Sequence, residues 1–148
     1  MWRSPCQKNL ELLLVEDNPD EVLLLQEIMA EAAVALELRV VSDGEDALAY
    51  LRREGRHAGV ARPDLIVLDL HLPGRDGHQV LRAIKGDPEI RGIPVIILST
   101  SQAEEDIRQC YDLQANCYIS KPVGLEPFIQ VIRALESFWF HTVKLPGR

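Results

Sequence analysis

Residues 64–77 read DLIVLDLHLPGRDG. An apolar run ends in a carboxylate, Asp69, and a Pro-Gly turn signal follows. Beyond the turn, HQVLRAIKG places Val80, Leu81 and Ile84 at helical spacing. A short Val/Ile/Leu run leading into a helix is the strand-helix unit of a parallel sheet covered on both faces. An ionised carboxylate at the end of so apolar a strand is costly unless something pairs with it. Asp69 therefore needs a partner, and the rest of the chain must supply it.

The same unit recurs in both directions. LELLLV (10–15) precedes EDNPD and a helix, capped by Asp20, whose Val22, Leu25, Ile28, Met29 and Ala32 face inward. LELRVVS (36–42) is followed by a helix starting at Ser42 or Asp43, with Asp43 and Glu45 as caps and Ala47, Leu48 and Leu51 inward. Residues 56–63 form a loop, and Asp87-Pro88 opens another. VIILS (95–99) is a fourth buried run, followed by a helix with Ile107, Cys110 and Tyr111 on one face. NCYISKP is a short strand stopped by Pro122, and the last helix runs from about Leu125 to Phe140. Strands and helices alternate five times, which predicts an α/β chain: one three-layer sandwich, a five-stranded parallel sheet with five helices.

The 148 residues suit one domain, and 47% apolar with 26% charged residues is an ordinary globular composition. A net charge of −7, with no basic cluster larger than Arg52–Arg53, argues against nucleic-acid or acidic-membrane partners. No apolar run is long enough to span a bilayer and no signal peptide is legible, so the expected location is cytoplasmic. Cys6, Cys110 and Cys117 lack metal-ligand spacing and read as reduced packing cysteines.

In open parallel sheets ligands bind beyond the carboxyl ends of the strands. Those ends carry Glu16-Asp17, Asp69, Ser99-Thr100 and Lys121-Pro122. Each alone reads as a cap or a solvated loop charge; together they form a constellation. Two carboxylates about 5 Å apart repel by roughly 3 kcal/mol at an effective dielectric near 20. One ammonium compensates only in part, so a hard divalent cation with oxygen ligands, Mg²⁺ or Mn²⁺, is expected. Asp69 beside such a cation is a nucleophile for phosphorus, with Lys121 neutralising phosphoryl oxygens and Ser99 donating a hydrogen bond. The expected chemistry is phosphoryl transfer to Asp69.

The Glu-Asp pair, DLHLPGRDG, IPVIILST and YISKP together resemble the receiver domain of two-component response regulators, over about residues 10–140. The resemblance implies a flavodoxin-like fold with strand order 2-1-3-4-5. It implies Asp69 as phosphoacceptor from a histidine kinase, with cation ligands from Glu16, Asp17, Asp69 and the His71 backbone carbonyl. Lys121 would pair with the phosphate, and the Lys121–Pro122 bond would be cis. Counting from Pro94, the family's switch hydroxyl falls on Ser99; Thr100 stands where the family prefers a small residue. Strand alternation aims Thr100 the other way. The switch aromatic is Tyr118, expected to turn inward once phosphate draws Ser99 and its loop. His71 and Ser101, two residues past Asp69 and Ser99, overlook the phosphate and are expected to tune its hydrolysis; His78 starts the third helix.

The division expected is an arm over 1–9, the receiver over 10–140 and a tail over 141–148. No linker or output domain is legible after the fifth helix, so the chain should act by binding or by passing its phosphate on, as a signalling protein rather than an enzyme. In the last helix Leu125, Phe128, Ile129, Ile132, Leu135 and Trp139 form one stripe, and Val131, Ala134 and Phe138 a second. Together they exceed a single core-facing arc. With Phe140, the second stripe and Trp139 predict a homodimer through this helix and the tail. Several of these segments are also similar to the small stand-alone regulators of phytochromes, which implies a phytochrome-type histidine kinase as partner. The alternatives are an Mg-dependent aspartate-nucleophile phosphatase and a degenerate receiver that only binds. The phosphatase class would place an acid where His71 stands; the degenerate receiver would lack one of Asp69, Lys121 or the acidic pair.

Overall fold

The computed structural model describes residues 9–32 and 34–146. Five strands, β1 (Leu10–Val15), β2 (Leu36–Val41), β3 (Leu65–Leu68), β4 (Val95–Ser99) and β5 (Cys117–Ser120), form one sheet. All neighbours are parallel, in the order β2-β1-β3-β4-β5. The helices are α1 (Pro19–Ala30), α2 (Gly44–Leu51), α3 (Gly77–Lys85), α4 (Glu104–Asp112) and α5 (Leu125–Glu136). This is the flavodoxin-like, three-layer arrangement expected.

Strand alternation divides the core in two. Leu13, Val15, Ile66, Leu68, Val95 and Ile97 face α2, α3 and α4. Their neighbours Leu12, Leu14, Leu65, Val67, Ile96 and Leu98 face α1 and α5. Side chains of both sets are removed almost wholly from water, each contributing roughly 1.5–3 kcal/mol. That burial fixes register: a slip of one residue would exchange the two faces.

The stretch after β3 shows how the sequence aims Asp69. Gly74 takes φ +74°, a left-handed conformation that turns the chain. Asp76 then caps α3 by accepting from the Gln79 N–H, and the Gln79 side chain accepts from the Asp76 N–H. This reciprocal pair satisfies two donors at the helix start. Gly77 follows because a Cβ there would lie 2.6 Å from the Asp69 carbonyl oxygen and 2.4 Å from the Leu70 Cα. The first turn of α3 is thus pressed against the backbone that carries Asp69.

Several local expectations change. Asn18, not Asp20, caps α1: its side chain accepts from the Asp20 and Glu21 N–H groups. Asp43 caps α2 as expected, but Glu45 pairs with Arg75 at 2.9 Å. Gly77, not His78, is the first residue of α3. Tyr111 is exposed on α4 while Cys110 is buried. No peptide bond among the described residues is cis, so Lys121–Pro122 is trans. Local sequence chooses weakly here, since X–Pro isomers differ by only about 0.5–1 kcal/mol. Cys110 and Cys117 are free thiols; Cys6, and with it nearly all of the proposed N-terminal arm, lies outside the described residues, as do the last two residues of the tail.

The last helix also departs from a simple reading. Regular α-helix ends at Glu136 and continues as a wider π-helical turn over Ser137–Thr142. The Val143 N–H donates to the Phe138 carbonyl, five residues back, and the Thr142 hydroxyl to the Ser137 carbonyl. Phe138 is 53% exposed, whereas Trp139 and Phe140 lean on the α1/α5 core. Leu125, counted on the inner stripe, is exposed.

Candidate phosphoacceptor site

The carboxyl ends of β1, β3, β4 and β5 converge, and their backbones tie them together. The Asp69 N–H donates to the Val15 carbonyl at 3.1 Å, and the Lys121 N–H to the Ser99 carbonyl at 2.7 Å. Glu16, Asp69, Ser99 and Lys121 are all buried, while Asp17 is exposed at the rim. One carboxylate oxygen from each of Glu16, Asp17 and Asp69 lies within 4.8 Å of the others.

Lys121 is the one cation in this group, and it is crowded. Its Nζ is 2.7 Å from Glu21 Oε1, 2.9 Å from Glu16 Oε1 and 3.8 Å from Asp69 Oδ1. Burial pushes its pKa down, but contacts with Glu21 and Glu16 and the charge of Asp69 outweigh burial and raise it. Asp69 is in the opposite position. Burial raises its pKa to about 6, with Lys121 opposing, Glu16 adding to the rise and the His71 backbone N–H opposing. Its Oδ1 is a buried acceptor with no hydrogen-bond partner among the described residues.

Three carboxylates, Glu16, Glu21 and Asp69, thus share one ammonium, with a fourth, Asp17, at the exposed rim. The residues present fit a hard divalent cation. The donors are oxygens, an unpartnered one among them, which is the ligand set that Mg²⁺ or Mn²⁺ would take.

The switch residues, Ser99 at the end of β4 and Tyr118 in β5, meet at the loop after β4. Ser99 is fully buried and Thr100 exposed, and Ser99 Oγ accepts from the Ser101 N–H at 3.2 Å. Ser101 Oγ donates to Asp106 Oδ2 at 2.6 Å, so it anchors α4. The Tyr118 hydroxyl already donates to the Ser101 carbonyl at 2.8 Å, with the ring half-buried against the core. The Tyr118 ring, expected to turn inward, is thus bonded to this loop through its hydroxyl. His78 Nε2 stands 3.9 Å from Asp106, and His71 is exposed.

Sequence reading passed over Glu21. Its signal was available: it stands one helical turn after Asp17, on the face of α1 that the strand ends share. With Asp20 taken as the cap, that phase was lost. Glu136, to which sequence reading gives no role, is buried, with one carboxylate oxygen lacking a partner among the described residues and a pKa raised by burial.

Comparison with known proteins gives a consistent result. The family model described as response regulator receiver domain matches residues 12–133. Response regulator Rcp1 of Synechocystis sp. is 41% identical over 136 residues, covering 92% of this chain and 92% of its own. The solved structure of the phosphorylated cyanobacterial phytochrome response regulator RcpA is 47% identical with a TM-score of 0.92, covering 95% of this chain and 100% of its own. The Mn(2+)-bound form of response regulator Rcp1 is 40% identical with a TM-score of 0.90, covering 93% and 99%.

Proposed function

This chain belongs to the response regulator receiver domain family, and on that premise we propose that it accepts a phosphoryl group on Asp69 from a histidine kinase. The observation that carries the reading is the Asp69 carboxylate. It is buried, has an unpartnered oxygen, lies 3.8 Å from Lys121 Nζ and sits within 4.8 Å of Glu16 and Asp17 oxygens. An Asp69 oxygen forms the bond to phosphorus as the bond to the donor breaks, its electron pair leaving with the donor. Lys121 and the Ser99 hydroxyl hold the phosphoryl oxygens. Glu16, Asp17, Asp69 and the His71 carbonyl would hold Mg²⁺ or Mn²⁺, which supplies neutralising charge to those oxygens. The added charge then acts on the Ser99–Ser101 loop, to which the Tyr118 hydroxyl and Asp106 are bonded, and so on the face formed by α4, β5 and α5.

The partner we propose is a phytochrome-type kinase, supported by the likeness to RcpA, with the chain acting in the cytoplasm. The signal leaves by conformational change or phosphorelay. We also propose a homodimer through α5. Val131, Ala134 and Phe138 continue a four-three-four spacing from Pro127, the seam of a helix pair, with Trp139 and Phe140 supporting it from inside. Phe138→Glu should yield monomers in sedimentation if this face pairs; an unchanged dimer removes it.

The test of the main reading is incubation with acetyl phosphate and Mg²⁺, followed by intact mass. A stable adduct of one phosphoryl group that vanishes in Asp69→Asn supports it. Rapid turnover without adduct would instead make the chain a phosphatase, and no reaction a binding module.

A further inference from the structure

His78 holds a ring nitrogen in reserve. Its Nε2 is buried and has no hydrogen-bond partner among the described residues. Across the boundary between α3 and α4, Asp106 Oδ1 stands 3.9 Å away, too far for a hydrogen bond. The other oxygen of that carboxylate is taken: Asp106 Oδ2 accepts from the Ser101 hydroxyl at 2.6 Å. Both sides of the gap are held by helices. Asp76 and Gln79 close the first turn of α3 around His78, and Gly77 presses that turn on the Asp69 backbone. Asp106 lies in the first turn of α4, where the helix terminus favours an ionised carboxylate. Ser101 belongs instead to the loop beside the site. Its N–H donates to Ser99 Oγ at 3.2 Å, and its hydroxyl accepts from the Ala103 N–H at 3.3 Å.

We propose that His78 is a positioning residue that takes the Asp106 carboxylate over from Ser101 when Asp69 is phosphorylated, and so holds α4 in the signalling form. The inference rests on Asp69 being the phosphoacceptor. The phosphoryl group brings about −1.5 to −2 charge and draws the Ser99 hydroxyl. Ser101, whose N–H is bonded to that hydroxyl, moves with it. Asp106 stays with α4, whose first turn is closed by the Ile107 N–H donating to the Ala103 carbonyl. The Ser101–Asp106 bond is then stretched, and the donor facing the carboxylate from the other side is His78. A neutral imidazole with its proton on Nε2 supplies that donor. Closing the gap by about 1 Å makes a hydrogen bond, and a turn of the Asp106 side chain can do so. The bond has an ionised acceptor and is stronger than a neutral pair. A nitrogen unpaired in the resting form is thus paired in the phosphorylated one, and His78 shifts the balance between the two.

The probe is beryllofluoride at saturating Mg²⁺, which mimics a phosphoryl group on a carboxylate and is not hydrolysed. Its affinity for the full chain and its variants is measured by calorimetry. His78→Leu removes the donor and should weaken binding about fivefold, the factor for a contact worth about 1 kcal/mol. His78→Gln keeps an N–H donor at the end of its side chain and should bind like the unaltered chain, an outcome that packing alone would not give. In Ser101→Ala, Asp106 is free to reach His78 before the probe arrives. Adding His78→Leu to that background should therefore change affinity by less than about twofold. In isotope-labelled protein the His78 Nε2 proton should exchange with water more slowly once beryllofluoride is bound. Equal affinities of the unaltered and His78→Leu chains overturn the inference. So do a His78→Gln chain as weak as His78→Leu, the same loss in the Ser101→Ala background, or unchanged exchange at Nε2. Each of these leaves Asp69 as phosphoacceptor. Failure of beryllofluoride to bind any of the chains overturns the phosphoacceptor reading itself, and this inference with it.

Discussion

The two ends of the sheet treat buried charge in opposite ways. At the amino-terminal edge Lys85 forms no ion pair among the described residues, yet its ammonium donates to the carbonyls of Arg91 and Ile93 and to Asn116 Oδ1, at 3.1, 3.0 and 3.1 Å. The same Asn116 oxygen accepts from the Val95 N–H at 2.8 Å, and an Asp64 carboxylate oxygen accepts from the Glu11 N–H at 2.8 Å. At the carboxyl-terminal edge three carboxylates crowd one lysine, and Asp69 Oδ1 is left without a hydrogen bond among the described residues. Satisfied groups such as the Lys85 ammonium and the Asn116 oxygen make a joint, in which each partner holds an element in place. Incomplete satisfaction makes a site, because the missing contacts are what an incoming cation and phosphoryl group supply.

The largest expected effect sits at the unsatisfied edge. Asp69→Asn should abolish the acetyl phosphate adduct entirely, read by intact mass, while the fold persists by circular dichroism.

The second prediction concerns pH. The Asp69 pKa is raised by burial from 3.8 to about 6. Between those values the folded chain binds the proton that the unfolded chain has released, so metal-free stability falls as pH rises from about 4 to 6 and stays lower above. The difference amounts to on the order of 2–3 kcal/mol. Urea titrations of the wild-type chain and Asp69→Asn in chelator should diverge over that window, and Mg²⁺ should close the gap at neutral pH. Parallel curves would mean that Asp69 carries no strain.

The satisfied edge should respond in stability alone. Asn116→Ala removes an acceptor shared by Lys85 and the start of β4, and should cost about 2 kcal/mol in urea midpoints with adduct formation unchanged. Lys85→Met keeps much of the stem while removing the ammonium, and should cost about 1 kcal/mol, since the freed carbonyls can find water. If either change lowered phosphorylation instead, the division between joint and site would be wrong.

Much of this was legible from residues. Val/Ile/Leu runs marked β1, β3 and β4, the strands buried on both faces, while alternation marked β2 and Pro122 the end of β5. Placing Asp69, Glu16, Asp17 and Lys121 together needed only the rule that connections bring strand ends to one edge. What escaped depended on helix phase and on contacts between distant elements. Glu21 could be assigned to Lys121 only once Asn18 was known as the cap. The Tyr118 hydroxyl meets the Ser101 carbonyl across a 17-residue separation that no local pattern encodes.

The π-helical turn at Ser137–Thr142 carries a consequence for how the tail keeps its sides apart. In an α-helix neighbouring side chains diverge by about 100°. A wider turn spreads the same circuit over more residues, so neighbours point more nearly alike. Trp139 and Phe140 can then rest together on the core while Phe138, edge-on to Trp139 with ring centres 5.6 Å apart, stays outside. Sidedness here is stored in length rather than in composition. Deleting one residue from the turn would keep every aromatic yet rotate them, sending an inner ring out and the outer ring in.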